Sequence, residues 1–257
     1  MIKQKRFYNI QTGYGLAEIA VNAVYGNLDG FVLFECYVDH KSINFIKKIG
    51  KSDKRTLLHV FLEALEEEMW ETLLGSWVYS DPEVFPDIKA TVQRVYAKLP
   101  NWFIENEIDQ HPVEMQQIIS TLVGKTASAA FEILFNDLEF LYEFQLRIKE
   151  VIEREDTPHS SDFYDDSGYI KRQNYNPRWL ERAVFFRDQG RCQDCYKDVT
   201  GEVYLSNVYH LDHILPLADG GSNDPTNFQL LCENCNLKKG RRRKRPTNRK
   251  LVFSEKE

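Results

Sequence analysis

Cys192-Gln193-Asp194-Cys195 and Cys232-Glu233-Asn234-Cys235 are two C-x2-C pairs separated by 36 residues. Four thiolates are what a tetrahedral structural zinc site requires, and each C-x2-C forms a tight knuckle that presents two sulfurs to one ion. The start of the chain, Met1 to Arg6, is basic with no apolar run behind it, so no signal peptide is expected. No stretch approaches the ~18 consecutive apolar residues of a membrane span. The chain is therefore expected in the cytoplasm, where paired thiols bind metal rather than form disulfides. The fifth cysteine, Cys36, lies in apolar surroundings and reads as a small buried hydrophobe.

Between and after the cysteine pairs lies a polar set: His210-Leu211-Asp212-His213-Ile214, the turn Asp219-Gly220-Gly221-Ser222-Asn223, Asn227, Asn236 and Lys239-Gly240. A simple zinc ribbon has no use for these residues. Phosphodiester hydrolysis does. It needs a cation on the phosphate, a base to deprotonate water, and a group to orient the base.

This arrangement closely resembles the HNH endonuclease family, the zinc-knuckle branch of the ββα-metal nucleases, over about residues 177–245. The resemblance implies that His213 is the general base and that Asn227 positions it. It also implies that Asp212 and Asn236 hold one catalytic metal, and that Cys192, Cys195, Cys232 and Cys235 hold a structural Zn²⁺. Asn236 stands where many members have His. An Asp–Asn pair offers only hard oxygen donors, which favours Mg²⁺ or Mn²⁺. The implied activity is metal-dependent DNA cleavage, with a single site nicking one strand. Restriction, phage defence, mobile-element homing and phage packaging all employ such nucleases; the expected setting, on general prevalence and not on any residue, is the nuclease effector of a restriction or phage-defence system. The other readings are a non-catalytic zinc-stabilised DNA-binding module and an interaction subunit of a larger complex.

One geometric difficulty stands. Adjacent strand residues point to opposite faces, so Asp212 and His213 reach one phosphate only if the strand ends or twists there, or if one of the two is misassigned. His210 shares a face with Asp212 and is the substitute ligand. On the final helix, expected to run to about Lys244, Asn236, Lys239, Gly240 and Arg243 share a face, placing Lys239 or Arg243 against phosphate oxygens. Lys238 to Lys250 carries nine basic residues and no acid. Lys238, Lys239, Arg241, Arg242 and Arg243 are therefore expected to grip DNA backbone. Tyr204, Tyr209 and Phe228 are read as core residues rather than base-stacking ones.

The whole chain of 257 residues, at ~150 residues per domain, allows one large domain or two modest ones. Charge favours two: residues 177–257 carry 15 Lys/Arg against 11 Asp/Glu, while residues 1–176 carry 18 against 28. The expected fold is α+β, with a mainly helical acidic domain at 1–153, a polar linker at 154–176, the small HNH-like zinc-binding domain at 177–245 and a tail at 246–257. A protein partner is expected to meet the helical domain. Helices are expected at 17–24, from 57 to about 73, at 85–98, 112–123 and 128–153, and from 177 with Asn176 as cap and Gly190 as stop. Phe31 to Phe34 is a strand or a helix segment, and Glu202 to Leu217 fits a pair of short strands. Glu66 to Glu68 reads as a solvated helix face. Gly124-Lys125-Thr126 lacks the earlier glycine of a phosphate-binding loop and reads as a helix connector, and Gly13-Tyr14-Gly15 lacks the third glycine of a dinucleotide fingerprint. His40, His59 and His111 are read as structural.

Overall fold

The computed structural model describes residues 12–26, 43–75, 85–95, 98–105, 107, 110–154, 162–201 and 209–247. Phe31 to Phe34, Cys36, His40, Tyr204 and the basic residues beyond 247 lie outside them. The described chain is mainly helical, with one small antiparallel sheet near its C-terminal end. This is the expected α+β class. No single helix among the described residues is long and apolar enough to cross a membrane.

The helices are α1 (Gly13–Val24), α2 (Ile43–Gly50), α3 (Leu57–Gly75), α4 (Phe85–Val95), α5 (Asn101–Ile104), α6 (Pro112–Leu122), α7 (Lys125–Leu134), α8 (Leu138–Ile152), α9 (Arg178–Arg187) and α10 (Glu233–Lys239). The sheet pairs β1 (Tyr209–His213) with β2 (Phe228–Cys232). One compact unit contains His59–Ile133 and the described residues up to Ala20; the other contains Val21–Leu58 and the chain from Leu134 onward. This division runs at Leu134 rather than at 153/154.

The first unit is closed by an apolar cluster that includes Trp70, Val92, Phe103, Met115 and Ile119. Full burial of each such side chain contributes roughly 1.5–3 kcal/mol. Glu66, expected on a solvated face with Glu67 and Glu68, is instead fully buried on α3. Its Oε2 accepts hydrogen bonds from the backbone N–H groups of Gly124 (2.9 Å) and Ala127 (3.0 Å). Those amides begin α7, where helical geometry leaves donors unsatisfied and the helix dipole favours a carboxylate. Gly124-Lys125-Thr126 is thus a helix connector. His59 stacks on Phe131, and His111 stacks on Trp102, in keeping with structural roles.

The single helix expected over 128–153 is two helices. Apolar spacing continues through the break, but the Asp137 side chain accepts from Phe140 N–H at 2.8 Å and caps α8. Such a cap is worth about 1 kcal/mol and starts a new helix where the stripe alone suggests none. At α9 the cap is Pro177 with no side-chain hydrogen bond, so Asn176 does not play that part.

The second unit folds around Leu180, Val184, Cys192, Val199, Phe228 and Leu230. Of the expected strand pair in 202–217, residues 202–208 lie outside the described residues; β1 pairs with β2 across a long loop. That loop, residues 214–227, is held by elements distant in sequence. Gln145 on α8 donates to Thr226 Oγ1 at 2.8 Å and accepts from Ser222 Oγ at 2.9 Å. Asn223 N–H donates to Ile49 O at 2.8 Å, and Leu57 N–H donates to Asp224 Oδ2 at 2.7 Å. These bonds explain why α8 and residues 43–58 belong with the C-terminal unit.

Residues 162–172, expected as linker, form a hairpin. Tyr164 and Ile170 make an antiparallel bridge, Lys171 N–H donates to Phe163 O at 2.7 Å, and the turn contains Gly168 at φ +80°. Asp165 Oδ1 accepts from the N–H groups of Ser167 and Tyr169, fixing the tip. Phe163 lies so close to Gly50 that a Cβ there would stand 2.2 Å from the ring.

Candidate active site

The cysteine cluster is built from two turns. Cys192 N–H donates to Lys197 O and Tyr196 N–H to Cys192 O, with Tyr196 in the left-handed region at φ +65°. Cys232 ends β2 and caps α10, and Cys235 sits in the first turn of that helix. The four sulfurs lie within 4.8 Å of one another, with Cys195 and Cys232 at 3.7 Å. A tetrahedral zinc with Zn–S of about 2.3 Å requires sulfurs roughly 3.8 Å apart, so the four residues fit that ion. Burial and the three neighbouring sulfurs raise the Cys235 thiol well above its ordinary range. A divalent cation reverses that preference and favours thiolates.

Asp212 and His213 line one cleft of about 380 Å³. The difficulty of adjacent strand residues is met because β1 ends at His213 and the chain bends at once. Asn227 makes the bend. Its O accepts from Ile214 N–H at 2.6 Å, its Oδ1 accepts from Leu215 N–H at 2.8 Å, and its Nδ2 donates to Leu215 O at 2.9 Å and Ser222 O at 2.8 Å. Gly221 completes it, since a Cβ there would lie 2.1 Å from Leu215 O. His210, the substitute ligand, does not line this cleft; it pairs with Leu231 across the sheet.

The His213 ring is buried against Phe228, ring centroids 4.4 Å apart. Its Nε2 lies 3.1 Å from Asn223 Oδ1. Asn223 Nδ2 donates to Gly50 O (2.9 Å) and Lys171 O (2.7 Å), which leaves Oδ1 as the acceptor. Nε2 therefore carries the proton, and Nδ1, which has no hydrogen-bond partner among the described residues, carries the lone pair. Burial above all, then the charge of Arg172, pushes the imidazole pKa down to about 3 against the opposing bond from Asn223, so the ring is neutral at ordinary pH.

Asp212 Oδ2 accepts from Lys239 Nζ at 2.6 Å and from Gln229 Nε2 at 3.2 Å. Lys239 Nζ also donates to His213 O at 2.7 Å, and its side chain is buried. Lys239, expected on DNA, is thus the partner of Asp212. Asn236 is half-buried one turn earlier on α10, on the same helix face as Lys239. The structure brings Asp212 to Lys239 and Gln229, and to Asn236 only through that shared face. As hard oxygen donors, Asp212 and Asn236 fit a small divalent ion, with Asp212 Oδ1 outside both of these contacts.

The helix expected to run to Lys244 stops at Lys239, because Gly240 leaves the helical region at φ +52°. Arg243 consequently does not continue the α10 face. It pairs with Asp219, Arg243 Nη2 to Oδ1 being 2.8 Å. Lys244 pairs with Asp194, and Arg245 with Glu143 at 2.9 Å. Lys238, Arg241 and Arg242 are exposed, and Arg241 lines the cleft. Phe228 is core, as expected.

Two residues at the site escaped the sequence reading. Asn223 lay inside a segment read only as turn chemistry. Arg172, which lines the cleft beside Lys171, lay in the expected linker. The available signal for the latter was Tyr164 and Ile170 flanking a Gly168 turn.

Residues 192–242 match the family model described as HNH endonuclease. The C-terminal segment carries an HNH domain. No curated protein and no solved structure matches the chain. An HNH domain with a four-cysteine cluster supports a nuclease or nucleic-acid-binding role.

Proposed function

We propose that the HNH domain is a DNA endonuclease that hydrolyses phosphodiester bonds with a divalent metal, and that one chain nicks one strand. The observation that carries this reading is the fixed tautomer of His213: Asn223 Oδ1 accepts from Nε2–H, and Nδ1, buried and with no hydrogen-bond partner among the described residues, keeps the lone pair in a residue lining the cleft with Asp212. A neutral imidazole held in one orientation is the form a general base needs.

In this reading Nδ1 takes the proton of the attacking water. Asn223 prevents the ring from turning, and Asn227 holds the bend that brings His213 beside Asp212. Asp212 and Asn236 hold Mg²⁺ or Mn²⁺, which when bound polarises the phosphate and stabilises the leaving oxygen. Lys239 donates to Asp212 and is placed to meet a phosphate oxygen that approaches that carboxylate. The zinc on Cys192, Cys195, Cys232 and Cys235 anchors the end of β2 and the start of α10, so it supports the site without entering the chemistry.

A second reading, a non-catalytic zinc-stabilised nucleic-acid-binding domain, is favoured by one observation: Asp212 already has a cationic partner in Lys239. Incubating the purified protein with supercoiled plasmid in Mg²⁺, in Mn²⁺ and with no added metal separates the two. Conversion to open circles only with added metal supports the nuclease; binding without conversion supports the second reading. Cleavage of foreign DNA in restriction or phage defence is the setting we infer, and a drop in phage plating on cells expressing the chain tests it.

A further inference from the structure

Arg172 stands at the base of the hairpin that walls the cleft and is exposed. Lys239, Arg243, Lys244 and Arg245 each have an acidic partner: Asp212, Asp219, Asp194 and Glu143. Arg172 has no ion pair among the described residues. The acids that share its cleft are engaged elsewhere, since Asp165 Oδ1 caps its own turn and Asp212 Oδ2 is held by Lys239. An unpaired guanidinium leaves positive charge without a counter-ion in the cleft.

Its placement is also fixed. Ile170 is buried, and the carbonyl of Lys171 accepts from Asn223 Nδ2 at 2.7 Å. The amide that orients His213 therefore also holds the residue preceding Arg172. A planar guanidinium meets phosphate oxygens bidentately, which suits it to a backbone phosphate.

We propose that Arg172 binds a backbone phosphate of the DNA strand in the HNH cleft, so that the 163–172 hairpin is part of the substrate surface. This rests on the nuclease reading above. The test is the affinity of full-length wild type, Arg172→Ala and Arg172→Lys for a fluorescent DNA duplex across a salt series without added divalent metal. Plasmid nicking in Mg²⁺ is measured alongside.

Loss of one phosphate contact in Arg172→Ala is expected to flatten the log–log salt dependence by about 0.9. Binding should weaken roughly 5- to 10-fold at low salt, with Arg172→Lys recovering most of the slope. Because Arg172 is exposed, zinc content and melting temperature should match wild type. If wild type binds and nicks but Arg172→Ala keeps the same slope and affinity, the inference is overturned and the nuclease reading stands. A changed pH profile of nicking with an unchanged slope overturns it equally, since Arg172 then acts only through the imidazole. If wild type neither binds nor nicks, the inference and the nuclease reading both fall.

Discussion

Asn223 Oδ1 lies 3.1 Å from His213 Nε2, and the same amide spends both of its N–H donors on Gly50 O and Lys171 O. A residue from the turn thereby decides which nitrogen of the imidazole is protonated. It does so by drawing on α2 and on the 163–172 hairpin, so the basic atom depends on chain segments far from the HNH motif.

Asn223→Ala removes all three bonds and leaves the buried Gly50 carbonyl and the part-buried Lys171 carbonyl without their donor. A loss of roughly 2–4 kcal/mol in stability is expected from groups of this kind. Nicking should fall by at least tenfold, toward the ~10²- to 10⁴-fold that a general base supplies. Asn223→Asp keeps the acceptor for Nε2–H but loses both donors, so it should restore neither property. Thermal melts and initial nicking rates check this, and a wild-type rate in Asn223→Ala contradicts it.

Glu66 carries an expectation independent of the site. Replacing it with Leu leaves the part-buried N–H of Gly124 and the buried N–H of Ala127 without their acceptor, at a cost of roughly 2–4 kcal/mol. Glu66→Gln keeps an acceptor oxygen and should cost less than Glu66→Leu. Chemical denaturation of the two variants measures the difference. Equal stabilities would return Glu66 to the solvated face that its neighbours occupy.

One zinc per chain is expected by elemental analysis. Cys232→Ser should lose the metal and lower the melting temperature, because that sulfur joins β2 to α10. Nicking should fall with it, as Asp212 pairs with Gln229 on β2 and with Lys239 on α10. A variant without zinc and with an unchanged melting temperature would show that the cluster carries no structural load.

The clustering of the four cysteines, and the nearness of Asp212 and His213 to one cleft, are legible in the sequence because the motif packs chemical residue types at fixed short spacings. Residues whose partners are distant are not. Glu66 finds Gly124 after a separation of 58 residues, and nothing in the run Glu66 to Glu68 distinguishes it from its exposed neighbours. The break before α8 was hidden because apolar spacing continues across it, and only the Asp137 cap marks the restart. Asn223 and Arg172 sit in segments whose composition reads as turn and linker. Their roles come from tertiary bonds to Gly50, Lys171 and His213, which no local pattern records.

The central claim is that Nδ1 of His213 is the base of a phosphodiester hydrolysis. Its most direct measurement is the nicking rate of supercoiled plasmid by His213→Ala in Mg²⁺, together with DNA affinity and zinc content of the same sample. The expected result is nicking lowered by ~10²-fold or more with affinity and zinc retained. Nicking at the wild-type rate by a folded, zinc-loaded His213→Ala protein would contradict it.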